Sequence, residues 1–232
     1  MWTEEGEFGM IQEKVKRIAA ELPEGVELIA AAKGRTADEI REAVKGGVRI
    51  IGENYVTEAK KAYQQVGKQL NGHRVHWHFI GILGKAKHDI FRRKNLRMFD
   101  MIQTVDSADL AEELSSRCAR IGKTMPVLVE VNSGRESQKA GVYPEQTEGL
   151  VRSIAGLSHL RVMGLMTMGP RFGDPEKSRS YFTTTRDIFE RIKSLDVPGV
   201  EMMYLSMGMT NSYSIALQEG ANMVRIGTKI FG

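Results

Sequence analysis

Lys33 ends the apolar run Leu28-Ile29-Ala30-Ala31-Ala32, and a primary amine held among hydrophobic walls can attack an aldehyde. Such walls penalise the ammonium form and lower the amine's pKa. The alternative is a lysine that leaves a sheet for water, and Lys33 alone does not separate the two. Two distant segments bear on the choice. Ser206-Met207-Gly208-Met209-Thr210 and Arg225-Ile226-Gly227-Thr228 both offer hydroxyls and glycines that expose backbone amides, a donor set for phosphate. Taken singly, Ser206, Gly208 and Gly227 also suit ordinary turns. A phosphate beside Lys33 suggests a phosphorylated aldehyde as ligand.

Arg225 adds a group that only donates hydrogen bonds. Facing a pyridine ring, it would bond an unprotonated nitrogen, oppose its protonation and restrain carbanion chemistry. Its other reading is a salt bridge on the surface or within a barrel layer. Asn54, in Gly52-Glu53-Asn54-Tyr55, either bonds a ring substituent or simply ends a strand.

These residues need elements that bring the two ends of the chain together. Runs rich in Val and Ile alternate with segments of helical period. The strands read Val26 to Lys33, Arg49 to Asn54, Val75 to Gly81, Met98 to Asp106, Pro126 to Asn132, Leu160 to Met168, Glu201 to Gly208 and Met223 to Phe231. Between them lie helical segments Ala37 to Val44, Glu58 to Val66, Lys87 to Lys94, one carrying Leu110, Leu114, Cys118 and Ile121, Pro144 to Ala155, one from Asp174-Pro175 to about Leu195, and Asn211 to Glu219. Thr36 with Glu39, Ser107 and Asp174 are placed as N-caps. Gly9 to Ala20 predicts an extra amphipathic helix before the first strand. This order predicts a single (β/α)8 barrel domain over residues 1–232, with active groups where strands end. A doubly wound sheet is the runner-up, but neither a dinucleotide glycine fingerprint nor a P-loop follows any strand.

Six segments together carry a family resemblance: Ala31-Ala32-Lys33, Gly52-Glu53-Asn54-Tyr55, Trp77-His78-Phe79-Ile80-Gly81, Gly164-Leu165-Met166-Thr167-Met168, Leu205-Ser206-Met207-Gly208-Met209 and Val224-Arg225-Ile226-Gly227-Thr228. The set resembles the pyridoxal phosphate homeostasis protein family, related to the N-terminal barrel of alanine racemase. The resemblance implies that Lys33 carries pyridoxal 5'-phosphate as a Schiff base. It also implies that Ser206, Gly227 and Thr228 belong to the phosphate site, that Arg225 faces the pyridine nitrogen, and that Asn54 contacts the cofactor. It implies a carrier or regulator in vitamin B6 homeostasis and amino-acid balance, without the β-domain that supplies racemases with a second base and a dimer contact. A low-activity racemase or decarboxylase is the alternative, and non-covalent binding of another phosphorylated metabolite a third. Three positions depart from the family pattern: Gly84 for a Gln, and Thr210 and Ser212 for a Ser and a nearby Asp, while Lys87 is retained.

The 33 basic and 29 acidic residues leave a small positive excess, no concentrated footprint for nucleic acid. Arg92-Arg93-Lys94 and Arg97 read as a solvated helix face. One cysteine, Cys118, excludes an internal disulfide, and the acidic opening Met1-Trp2-Thr3-Glu4-Glu5 is unlike a secretion signal, so cytoplasm is the expected location. A monomer is expected, with apoenzymes as possible recipients of the cofactor. His76 and His78 share a strand face, but no third metal ligand has supporting spacing. Met163, Met166 and Met168 read as barrel filling, Met166 being placed near a pocket. Glu136, Lys139 and Gly141 are given no role.

Overall fold

The computed structural model describes residues 4–170 and 173–232, so the opening Met1–Thr3 lies outside it. Eight parallel strands close into a barrel: β1 (Glu27–Ala31), β2 (Ile50–Glu53), β3 (His76–Phe79), β4 (Met101–Val105), β5 (Met125–Val131), β6 (Leu160–Thr167), β7 (Val200–Ser206) and β8 (Met223–Ile226). Closure sets Ile29 of β1 opposite both Ile50 of β2 and Arg225 of β8. The open-sheet alternative is thereby excluded. Around the strands run α1 (Glu4–Glu21), α2 (Ala37–Gly46), α3 (Val56–Val66), α4 (Leu83–Ile90), α5 (Arg93–Met98), α6 (Ala108–Ala119), α7 (Thr147–Ala155), α8 (Arg179–Ser194), α9 (Tyr213–Gln218) and α10 (Thr228–Phe231).

Period-two alternation divides the core. Ile29, Ile50, Met101, Leu128 and Met223 point into the barrel, whereas Ile51, Trp77, Phe79, Ile102 and Val224 join the larger cluster beneath the helices. Steps of two from the inner floor lead to the mouth: Ile29 to Ala31 and Lys33, Ile50 to Gly52 and Asn54, Met223 to Arg225 and Gly227. The three expected caps form. Thr36 and Glu39 make a reciprocal capping box on α2, Ser107 accepts from the Leu110 amide, and Asp174 accepts from that of Glu176.

Several boundaries differ from expectation. The last strand ends at Ile226, and Thr228–Phe231 is a helical turn whose Ile230 and Phe231 amides bond back to the Gly227 carbonyl. Its two buried residues, Ile230 and Phe231, satisfy a short apolar run in either conformation, so pattern alone misassigned them. The single helix expected from Lys87 to Lys94 is two, α4 and α5, because Arg92 is extended. The segments at Pro144 and Pro175 each begin as a 3₁₀ turn. A small hairpin, Gln69–Leu70 with His73–Arg74, was not anticipated.

Candidate functional site at the barrel mouth

A cavity of about 520 Å³ opens at the carboxyl ends of the strands. Ala31 of β1 and Lys33 just beyond it line the cavity, with Asn54 following β2, Arg225 of β8, and Gly227 and Thr228 where β8 gives way to α10. Met209, Thr210, Asn211 and Ser212 after β7 line it too, as do Met168 and the stretch Gly173–Pro175 after β6. Five of the six residues expected to bind a cofactor therefore share one cavity, although 192 positions separate Lys33 from Arg225 in sequence.

Lys33 itself corrects one expectation. β1 ends at Ala31, and the lysine side chain is exposed, its Nζ lying 5.5 Å from the centre of the Tyr55 ring. The apolar enclosure read from the preceding run is absent: Ile29 points into the barrel below, while Ala30 and Ala32 turn outward beneath the helices. What the fold supplies to Lys33 is proximity to the mouth's donors. The next amide, of Gly34, is held by the Glu58 carboxylate at 2.8 Å. Arg35, which sequence reasoning missed, also lines the cavity; it pairs with Glu39 at 3.2 Å and lies 5.4 Å over Phe231.

Arg225 is only 4 % exposed. Its Nη1 donates to the Ser206 hydroxyl at 2.6 Å and its Nη2 to the Thr167 carbonyl at 2.9 Å. Burial brings its pKa down to about 10, opposed by the facing Glu130. Burial and the nearby Asp106 push Glu130 up to about 7 against the pull of Arg225. Ser206 is not on the cavity wall. It is fully buried and donates to the Gln103 side chain at 2.8 Å, so its hydroxyl is committed within the barrel, not to a phosphate.

Backbone geometry shapes the rest. An added Cβ at Gly81 would lie 2.1 Å from the Asn54 carbonyl oxygen, so only glycine lets β3's exit pass the loop that carries Asn54. At Gly227 a Cβ would come within 3.2 Å of the Ala31 carbonyl. Thr210 accepts at long range, 3.5 Å, from the Lys229 amide, joining the loop after β7 to the start of α10.

Other sequence features fall elsewhere. Lys87, Arg92, Arg93, Arg117 and Arg120 surround a second cavity between α4 and α6, while Lys94 and Arg97 are exposed outside it. Gly84 is exposed. Lys139 pairs with Glu136 and donates to the Gly169 carbonyl at 3.2 Å. Among the described residues no group of three or more His, Cys, Asp or Glu is placed to hold a metal. Met163 and Met166 fill the barrel interior, and Met168, not Met166, reaches the cavity. Cys118 is buried, which pushes its thiol up to about 11. No helix among the described residues is long and apolar enough to cross a membrane.

Residues 9–232 match the family model described as alanine racemase, N-terminal domain. The pyridoxal phosphate homeostasis protein of Aquifex aeolicus is 36% identical over 205 residues, covering 88% of this chain and 86% of that one. The human protein of the same name is 32% identical over 234 residues, covering 96% and 83%. The structure of PipY from Synechococcus elongatus with pyridoxal phosphate bound superposes with a TM-score of 0.84 at 29% identity, covering 96% of this chain and all of PipY. An alanine racemase of Clostridium difficile, at 16% identity and a TM-score of 0.77, shares the fold, with 97% of this chain covering 56% of the racemase. The chain belongs to the pyridoxal phosphate homeostasis protein family, built on the barrel of the alanine racemase N-terminal domain.

Proposed function

We propose that this barrel binds pyridoxal 5'-phosphate at its mouth and serves in intracellular vitamin B6 homeostasis. The observation that carries the reading is the meeting of Lys33 with Arg225, Gly227 and Thr228 in one cavity. The donor set suits the ligand: an amine for the aldehyde, a guanidinium for the ring nitrogen, an amide for a ring substituent, and hydroxyls beside exposed backbone for the phosphate. The cavity volume falls within the ordinary range for small-molecule sites.

In this reading Lys33 holds the aldehyde as a Schiff base, formed with release of one water and reversed by water or another amine. Asn54 orients the ring edge. Gly227, Thr228 and the loop Met209–Ser212 cradle the phosphate, with Thr210 and Ser212 supplying hydroxyls. Ser206 contributes through Arg225, whose guanidinium it holds. When bound, the cofactor supplies an electrophilic carbon and an electron-withdrawing ring. Arg225 restrains that ring by disfavouring its protonation, so holding and releasing the cofactor, with PLP-dependent apoenzymes as recipients, is favoured over turnover. The exposure of Lys33 agrees with exchange to an outside amine.

The test is the absorbance spectrum of the purified protein. Protein loaded with pyridoxal phosphate should show a visible band that borohydride shifts and that Lys33→Ala abolishes. A colourless wild-type protein under excess cofactor contradicts the reading. Exposure of Lys33 also admits slow racemase or decarboxylase chemistry, and the two readings part in heavy water: the carrier incorporates no deuterium at the α-carbon of any amino acid, whereas the enzyme does.

A further inference from the structure

Directly beneath the mouth the barrel carries a polar layer where the floor below it is apolar. His78 of β3, Gln103 of β4, Ser206 of β7 and Arg225 of β8 are all buried there. Buried polar groups cost stability unless matched, and an apolar layer would fill the same space without that requirement. These four are matched in a single line across the barrel. Arg225 Nη1 bonds Ser206 Oγ at 2.6 Å, Ser206 Oγ bonds Gln103 Oε1 at 2.8 Å, and Gln103 Nε2 lies 2.9 Å from His78 Nδ1.

The line has a direction. A guanidinium can only donate, so Ser206 accepts from Arg225 and sends its own proton to the Gln103 carbonyl. The Gln103 amide nitrogen then faces His78, whose Nδ1 must accept. Burial drives the imidazole down to about 3, so His78 is neutral and carries its proton on Nε2. Each member thus has one permitted orientation. Nη2 is fastened to the Thr167 carbonyl at 2.9 Å, which leaves the guanidinium clamped at two points.

We infer that Gln103, backed by His78, is a positioning residue for Arg225: acting through Ser206, it fixes how the guanidinium meets the ring nitrogen of the pyridine at the mouth. The inference rests on the proposed cofactor site for its consequence, while the clamp itself is a property of the protein alone. Replacing Gln103 with Leu removes the acceptor for Ser206, whose hydroxyl then competes with Arg225's donors for new partners. Gln103 does not line the cavity, and the hydrogen bonds that connect it to the mouth run through Ser206 to Arg225.

Two measurements test it. In the first, the dissociation constant for pyridoxal phosphate is measured for wild type, Gln103→Leu, Arg225→Lys and the double variant. Loss of a hydrogen-bonded link to a charged group should weaken binding about tenfold in Gln103→Leu. The same change made on Arg225→Lys should add almost nothing. Equal losses in both backgrounds, or no loss in either, would overturn the inference. Gln103→Met, close to isosteric, serves if the Leu variant does not fold. The second uses nitrogen-15 spectra of the Arg225 guanidinium in protein without ligand. Wild type should show separate Nη resonances, and Gln103→Leu or Gln103→Met should merge them through faster rotation. If wild type fails to bind the cofactor, the functional reading falls while the guanidinium spectra still decide the clamp; unchanged spectra in the variants contradict it.

Discussion

At the scale of single residues, the buried Arg225 guanidinium is a costly group that the barrel tolerates because Ser206 and the Thr167 carbonyl bond it and the charge of Glu130 favours it. Arg225→Ala should therefore lower unfolding free energy by about 3 kcal/mol, in the range for hydrogen bonds made by a buried charged group. Urea denaturation measures it, and a loss below about 0.5 kcal/mol, typical of surface positions, would contradict the assignment. That Lys33, Asn54, Arg225 and Gly227 share a mouth was legible from sequence because strand ends in a barrel converge and alternate in phase with an inner floor, and Thr228 came with the segment that follows Arg225. Ser206 was legible as a neighbour but not in its role, since sequence carries no record of which hydroxyls are already bonded. Gln103 was missed altogether. The available signal was an amide two residues beyond Met101, in phase with the barrel interior, in a strand that is otherwise apolar but for Thr104.

Among the elements, the short link from β1 to α2 matters most, because it carries Lys33. It is pinned by the Thr36 capping box and by Glu58 holding the Gly34 amide. Thr36→Ala should cost about 1 kcal/mol, as other N-cap deletions do. It should also loosen the lysine, read as faster loss of the visible band on dilution; an unchanged rate would place the pinning elsewhere. Gly81→Ala should be harsher, because its Cβ would collide with the Asn54 backbone, an atom that cannot swing aside. A fall in stability above about 2 kcal/mol together with weaker ligand binding is expected, and an unperturbed variant would refute the close approach. The alternation of strands and helices was readable because the two periods differ. The end of β8 was not, because four residues are too few to distinguish a turn of helix from a strand. The extended Arg92 that divides α4 from α5 carries no glycine or proline to announce it.

For the whole molecule, burial of ionisable groups sets a pH dependence. Glu53, buried beside Glu58, is pushed up to about 8, and Glu130 to about 7. Acids shifted upward contribute stability that is complete below their ordinary value and lost as pH rises through the folded value. His78, shifted down, contributes above its ordinary value of 6.5 and loses that contribution as pH falls toward about 3. Between pH 6.5 and about 8 the acids dominate, so the thermal midpoint should fall across that window, and fall less in Glu53→Gln. Parallel curves for the two proteins would mean that Glu53 ionises as freely as a surface residue. Barrel closure also makes the functional reading testable in one experiment, since it alone brings Lys33 to the donors of β7 and β8. Protein loaded with pyridoxal phosphate is reduced with borohydride, digested and examined by mass spectrometry: a single phosphopyridoxyl adduct on the peptide containing Lys33 is predicted, and an adduct on another lysine, or none, would contradict it.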